Sequence, residues 1–273
     1  MGTKGKHNVG SEIQSPYIKT EKEIDLMEKA ARIVAETLVL LGKYIKSGIT
    51  TAELDTIAED YIRSKGAKPA FKGYKVDGRA YPNTLCISID EEVVHGLPGA
   101  RKLEEGQIVS IDCGSELKGY FGDSAISYPV GKVNELKQKL LRVTEESLMK
   151  GIEHAVERNK IYDISRAVQT FVESNGFNVT RELVGHGIGK HLHEEPPVPN
   201  FVPPLLHRSQ YPNVKLQNGM ALAIEPMVHA GGKSIKTARD GWTVLTADKS
   251  PAAHFEHTIV INGDKPIILT LRD

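Results

Sequence analysis

The chain has 273 residues, enough for one large domain or two small ones, and its 35 basic residues balance its 35 acidic residues. This neutrality gives no electrostatic footprint for duplex nucleic acid, which basic proteins bind by neutralising its phosphates, so we expect no nucleic-acid specificity. The chain has two cysteines, and no apolar stretch is as long as a membrane span or a signal-peptide core, so the sequence predicts a soluble cytoplasmic protein.

Residues 1–19 have the composition of a polar tail without hydrophobic periodicity, and residues 20–273 are predicted to form one catalytic domain. Lys4, Lys6 and His7 offer positive charge for a transient ribosome contact. A solvated tail without a partner is the interpretation that we favour.

Four segments have the apolar spacing of amphipathic helices. The first two begin at capping boxes, Thr20 with Glu23 and Thr50 with Glu53. The predicted helical segments are residues 20–42, 50–66, 136–155 and 164–171.

Between and after the helices, short apolar runs have the character of strands. The predicted strands are Leu85–Ile89, Ile108–Cys113, Met220–Glu225, Gly241–Leu245 and Phe255–Val260. This order, two helices with strands and then two helices with strands, predicts an α+β fold of two similar halves with their helices outside. No residue-level repeat relates the halves, so their similarity is inferred from element order.

Two aspartates lie on a predicted hairpin. Asp112 ends one strand and Asp123 starts the return strand, so a turn centred on Leu117 and Lys118 would place them directly opposite, roughly 5 Å apart. A divalent cation would remove the repulsion between the two carboxylates. Solvated aspartates near a turn explain the pattern equally well, so the hairpin alone leaves both interpretations open.

A histidine and two glutamates lie in similar apolar surroundings. His186 lies between Gly185 and Gly187, which allow close backbone approach. Glu225 and Glu256 each adjoin an apolar strand, where an unpaired buried carboxylate is costly. Each residue alone is also compatible with a structural histidine or a solvated strand end. Together with the aspartates they suit two divalent ions bridged by carboxylates.

These five residues, in their order along the chain, resemble the metal ligands of the methionine aminopeptidases. The sequence motifs that match this family are Val94–Pro98, Gly185–Gly189, His193–Pro196, Ile224–Met227, Gly241–Thr243 and Glu256–Thr258. The resemblance runs from about residue 20 to the C terminus. It implies the pita-bread fold, in which two α+β halves enclose a dinuclear metal site. Glu225 lies 32 positions after His193, which leaves no room for the helical insertion of the type II enzymes, so the chain resembles type I.

The resemblance also divides the five ligands between two ions. Asp123 and Glu256 would bridge both ions, Asp112 would complete one site, and His186 with Glu225 would complete the other. Oxygen and imidazole ligands leave the native metal open among iron, manganese, cobalt and zinc.

Further roles follow from the same resemblance. Glu225 would shuttle a proton, while His95 and His193 would contact the substrate and stabilise the tetrahedral intermediate. Candidates for the wall of the methionine pocket are Tyr74, Tyr81, Cys86, Leu192 and Trp242. Residues 75–80 depart from the family's usual, shorter loop, which affects the placement of Tyr74 and Tyr81. Plain core packing is an equal alternative for Cys86 and Trp242.

The implied activity is metal-dependent removal of the initiator methionine from nascent polypeptides when the next residue is small. We expect a monomer. An X-Pro aminopeptidase or prolidase is an alternative with the same fold and ligands, but such enzymes usually carry a further N-terminal domain, which the segment before Thr20 is too short to supply. A non-catalytic binding protein is a second alternative, and loss of a ligand, which would mark it, is not observed.

Overall fold

A computed structural model describes residues 17–272. Residues 1–16, which include Lys4, Lys6 and His7 of the predicted tail, lie outside this range. The last part of the predicted tail is held by the domain, because Ile18 pairs with Met220 and the Lys19 backbone N–H donates to the Gly219 carbonyl at 2.8 Å.

The described residues form four α-helices, and the first two begin at the predicted caps. Thr20 and Thr50 each accept a bond from the backbone N–H of a glutamate three residues on, whose carboxylate accepts from the threonine N–H in return. The helices are α1 (Glu21–Gly42), α2 (Thr51–Ser64), α3 (Glu135–Glu153) and α4 (Ile161–Ser174).

Most strands in the described range are short, and a 3-10 turn spans Leu205–His207. The strands are β1 (Lys68–Pro69), β2 (Lys75–Val76), β3 (Arg79–Ala80), β4 (Leu85–Ile89), β5 (Glu92–Val94), β6 (Ile108–Leu117), β7 (Tyr120–Pro129), β8 (Asn178–Val179), β9 (Gly185–Gly187), β10 (Glu194–Val198), β11 (Ala221–Ile224), β12 (Met227–His229), β13 (Ile235–Thr237), β14 (Val244–Thr246), β15 (Ala252–His254), β16 (His257–Val260) and β17 (Ile267–Ile268).

The elements group into two α+β halves, as predicted. In the first half, α1 and α2 pack on the sheet β1-β6-β4, in which β7 also pairs with β6. In the second half, α3 and α4 pack on the sheet β10-β9-β11-β16-β17 and on the smaller sheet β15-β12-β8. Each half has its own apolar cluster, around Leu38 and Ile111 in the first and around Val168 and Leu222 in the second.

The halves meet where β15 and β16 pack against β6 and β7. Across this junction the Glu256 N–H donates to the Ala125 carbonyl at 2.9 Å, and the Thr258 hydroxyl donates to the Asp123 carbonyl at 2.7 Å. The junction therefore aligns residues of the two halves directly beside one another. None of the helices in the described range has the length and apolarity needed to cross a membrane.

The β6–β7 hairpin corrects one prediction. Its turn lies at Lys118–Gly119, with φ values of 53° and 81°, rather than at Leu117–Lys118. Two residues in the left-handed region form the type I′ turn that matches the twist of paired strands, and a glycine in the second position favours it. Asp112 therefore pairs with Ala125 and not with Asp123. The observed pairing differs from the predicted one by two positions, so both aspartates still lie on the same face of the hairpin, as diagonal neighbours.

Candidate metal centre

The five predicted metal ligands meet in one cavity of about 520 Å³ at the junction of the halves. Asp112 lies on β6, Asp123 on β7 and His186 in the middle of β9. Glu225 directly follows β11, and Glu256 directly precedes β16. We call these five residues the metal cradle.

The glycines beside His186 make room for neighbouring backbone. A Cβ on Gly185 would lie 2.4 Å from the Ala223 carbonyl oxygen, and one on Gly187 would lie 2.2 Å from the Glu195 carbonyl oxygen. Both separations are shorter than van der Waals contact. The predicted close approach around His186 is thus confirmed, and it brings β9 between β10 and β11.

The ligand atoms of the cradle are close enough to share cations. One atom each from Asp123, His186 and Glu256 lies within 4.8 Å of the others. His186 Nε2 is 4.0 Å from Asp123 Oδ2 and 3.6 Å from Glu225 Oε1. Its Nδ1 lies 2.9 Å from the Gly187 carbonyl, so Nδ1 carries the proton and the Nε2 lone pair points among carboxylates.

Burial opposes charge on these groups. It raises the pKa of Asp112 to about 7 and that of Glu225 to about 8, and it raises the pKa values of Asp123 and Glu256 well above the ordinary range. Neighbouring carboxylates add to the increase at Asp123 and Glu256. Burial also lowers the pKa of His186 to about 3, which keeps its imidazole neutral.

Several carboxylate oxygens of the cradle are unpaired, as suits a cation site. Among the described residues, Oδ1 of Asp112, Oδ1 of Asp123 and Oε1 of Glu256 are buried without a hydrogen-bond partner. Leaving a buried polar group unpaired costs about 1–3 kcal/mol, and more for a charged one. A divalent cation coordinates such oxygens and offsets their charge, so the residues present fit a metal site.

His95 and His193 line the same cavity. The His193 ring lies 4.4 Å from the His186 ring, and its Nδ1 is 2.7 Å from the Tyr74 hydroxyl. Burial lowers the pKa of His193 and lowers that of His95 to about 4, so both imidazoles are neutral near neutral pH. His95 has a φ of 61°, a strained conformation for a non-glycine residue and one that is concentrated at functional sites.

His254 also belongs to the cavity, and the sequence reasoning missed it. It ends β15, and its Nε2 is 3.5 Å from Glu225 Oε2. Side chains alternate between the two faces of an extended chain, so the position of Glu256 could have predicted that His254 lies on the same face. His257 points away from the cavity, and its Nδ1 lies 2.9 Å from the Thr270 hydroxyl.

The candidates for the methionine pocket lie together on the wall of this cavity, including Tyr74 and Leu192. Tyr81 meets Trp242 edge to face at a ring separation of 5.2 Å, and its hydroxyl is 3.0 Å from the Leu85 carbonyl. Cys86 is buried, which raises its thiol pKa. Apolar wall residues that were not predicted for the pocket are Phe71, Val94, Leu183, Met227 and Val244.

Comparison with known proteins gives concordant matches. The sequence model of Metallopeptidase family M24 matches residues 25–263 of this chain. The chain is 51% identical to the methionine aminopeptidase of Clostridium perfringens over 254 residues, which are 93% of this chain and 98% of that protein.

Comparison with solved structures identifies proteins of the same fold. The methionine aminopeptidase of Thermotoga maritima superposes with a TM-score of 0.87 at 43% identity, over 94% of this chain and 99% of that one. The prolidase of Pyrococcus furiosus superposes with a TM-score of 0.75 at 22% identity, over 94% of this chain but 66% of that one, and shares the fold alone.

Proposed function

The chain belongs to the M24 metallopeptidase family and to its methionine aminopeptidases, and we propose that its cavity removes the initiator methionine from new cytoplasmic proteins when the next residue is small. The observation that carries this proposal is the meeting of three unpaired carboxylate oxygens with a neutral imidazole beside an apolar wall. The cradle provides for metal chemistry, and the wall provides for an unbranched apolar side chain.

The cradle would hold two divalent ions, each of iron, manganese, cobalt or zinc. Asp123 and Glu256 would be shared between the ions, with Asp112 on one side and His186 and Glu225 on the other. When bound, the ions supply Lewis-acid polarisation of the scissile carbonyl and lower the pKa of the nucleophilic water.

Glu225 is the proposed proton carrier. It directly follows β11, and its two oxygens face His186 and His254 at 3.6 and 3.5 Å. From this position one carboxylate oxygen takes the proton of the attacking water and later delivers it to the departing amine.

His95 and His193 are the proposed hydrogen-bond donors to the substrate and to the developing oxyanion. Burial raises the pKa of Tyr74, so its hydroxyl keeps its proton and donates to His193 Nδ1. This bond selects the tautomer in which Nε2 carries the proton, and Nε2–H then serves as the donor.

Peptide cleavage after metal stripping tests the proposal. The protein is stripped with a chelator, reloaded with each of the four metals, and incubated with Met-Ala-Ser, Met-Leu-Ser and Ala-Pro-Ser. We expect methionine release from Met-Ala-Ser alone, and only after reloading. Equal cleavage of Ala-Pro-Ser would move the assignment to the X-Pro enzymes, and no cleavage of any peptide by the reloaded protein would indicate the binding protein.

A further inference from the structure

A short hairpin at the opening of the cavity has no part in the mechanism above. Residues 75–80, the 75–80 hairpin, pair Val76 with Arg79 and turn at Asp77–Gly78, with φ values of 49° and 79°. Val76, Asp77 and Arg79 line the cavity although all three are exposed. Residues that face both the cavity and the solvent lie at its opening, so the hairpin forms part of the rim.

Burial does not hold this hairpin in place. All four of its strand residues are exposed, and an isolated two-stranded hairpin is at best marginally stable in water. At its base the Gly73 N–H donates to the Tyr81 carbonyl and the Tyr81 N–H donates to the Tyr74 carbonyl, both at 2.8 Å. These bonds fix where the hairpin leaves the domain, but they leave the position of its tip to other contacts.

Arg79 joins the hairpin to Gly241 and Trp242, which also line the cavity. Its Nη2 donates to the Gly241 carbonyl at 3.0 Å, and its guanidinium lies 5.3 Å from the centre of the Trp242 ring. A Cβ on Gly241 would lie 2.2 Å from Arg79 Nη1, so the glycine leaves room for the guanidinium. Trp242 also meets Tyr81 edge to face, so the three side chains form a continuous piece of wall.

We propose that Arg79 is a positioning residue that clasps the 75–80 hairpin to Trp242 and Gly241 and so closes the wall around the substrate methionine. A planar guanidinium suits this task because it stacks on an indole and donates hydrogen bonds at the same time. The inference rests on the proposed function, which assigns methionine to this cavity.

Tryptophan fluorescence tests the contact between Arg79 and Trp242 in the absence of a peptide substrate. Trp242 is the single tryptophan of the chain, so its emission reports on this contact in the unmodified protein. In Arg79→Ala we expect a red-shifted emission and stronger quenching by acrylamide, because the indole face is exposed. Lys75→Ala is the matched control, since it removes a positive charge from the same hairpin at a residue that does not line the cavity.

Steady-state kinetics tests whether this contact affects substrate binding. For Met-Ala-Ser we expect Arg79→Ala to raise KM about 3- to 10-fold, the effect of losing one stacked and hydrogen-bonded contact, with kcat within about twofold. Arg79→Lys, which keeps the charge but loses the planar stack, should fall between the wild type and Arg79→Ala. A general loss of folded protein would instead lower the apparent kcat and leave KM unchanged.

The outcomes separate the two proposals. If Arg79→Ala matches Lys75→Ala in emission, quenching and KM, the clasp does not exist. A changed emission with an unchanged KM overturns the positioning role. If the reloaded wild type cleaves no methionyl peptide, the proposed function fails, whereas the fluorescence comparison still decides whether Arg79 holds the hairpin against Trp242.

Discussion

The metal cradle and the 75–80 hairpin border one cavity, yet different forces hold them. The cradle residues emerge from strands that are hydrogen-bonded within and between the two halves, as the Glu256 N–H to Ala125 carbonyl bond illustrates. The hairpin strands are exposed and depend on Arg79 for their position. The difference implies that changes in the cradle impair chemistry, whereas changes in the hairpin impair binding.

The cradle also makes an unfavourable contribution to the free energy of folding, which the hairpin does not. Buried carboxylates that repel one another oppose folding unless cations or protons offset their charge. In the metal-free protein the cradle therefore opposes folding, whereas the 75–80 hairpin is exposed and buries no carboxylate. The predictions below separate the two regions, beginning with the largest effect.

Glu256→Ala should have the largest effect. It removes an oxygen donor shared between the proposed ions, so we expect methionine release from Met-Ala-Ser to fall by more than about 100-fold, as happens when a charge-stabilising group is lost from other active sites. Steady-state assays at saturating metal measure this. Glu256→Gln is the control for folding, because it removes the charge at nearly constant volume and should not lower the melting temperature of the metal-free protein. Activity that survives Glu256→Ala would refute the two-metal mechanism.

Metal-free stability should increase as the pH falls from about 8.5 to about 6.5. The folded-state pKa values of Asp112, about 7, and of Glu225, about 8, lie above those of unfolded carboxyls. The folded protein thus binds protons that the unfolded chain does not, and this stabilisation is lost as the pH rises through these values. At ~1.4 kcal/mol per pKa unit and about 2–4 °C per kcal/mol, the increase in melting temperature is on the order of 5 °C.

Calorimetry in chelator and in excess Mn²⁺ checks this prediction. Below about pH 6.5 the buried histidines act in the opposite direction, because His186 and His95 have lowered pKa values and the unfolded state then takes up more protons. In excess Mn²⁺ the ligands are ionised, so the trend between pH 8.5 and 6.5 should vanish or reverse. The same slope with and without metal would show that the cradle does not bind it.

Tyr74→Phe should have a moderate effect on catalysis. It deletes the hydroxyl 2.7 Å from His193 Nδ1 and keeps the aromatic wall, so we expect kcat to fall about 2- to 10-fold, equivalent to one neutral hydrogen bond. Because the ring remains, KM should change little. A raised KM with an unchanged kcat would assign Tyr74 to methionine binding and not to the orientation of His193.

Gly78→Ala should have the smallest effect on stability. Gly78 has a φ of 79° and no atom within 4 Å of its missing Cβ, and Gly66 at the end of α2 matches it with 76° and an equally open site. Alanine in this conformation costs about 1 kcal/mol. Gly66→Ala should therefore lower the melting temperature by about 2–4 °C. Gly78→Ala should leave it unchanged and raise KM slightly, because the hairpin opens without unfolding the domain. Equal losses in melting temperature would mean that the hairpin is part of the cooperative core.

Local patterns explain what the sequence predicted and what it did not. The capping boxes at Thr20 and Thr50 specify helix starts through contacts three residues apart, and both starts were correct. The turn of β6 and β7 was misplaced by one residue because the left-handed preference of Lys118–Gly119 outweighs symmetry. His254 was missed because its partner Glu225 is distant in sequence, and the clasp of Arg79 on Trp242 joins residues far apart along the chain.

Metal titration of the stripped protein tests the central claim most directly. Isothermal titration with Mn²⁺ should give two ions per chain for the wild type. Asp112→Asn should lose one ion and keep the other, because Asp112 is assigned to one site while Asp123 and Glu256 are shared. A wild type that binds fewer than two ions, or an Asp112→Asn variant that still binds both, would contradict the proposed dinuclear cradle.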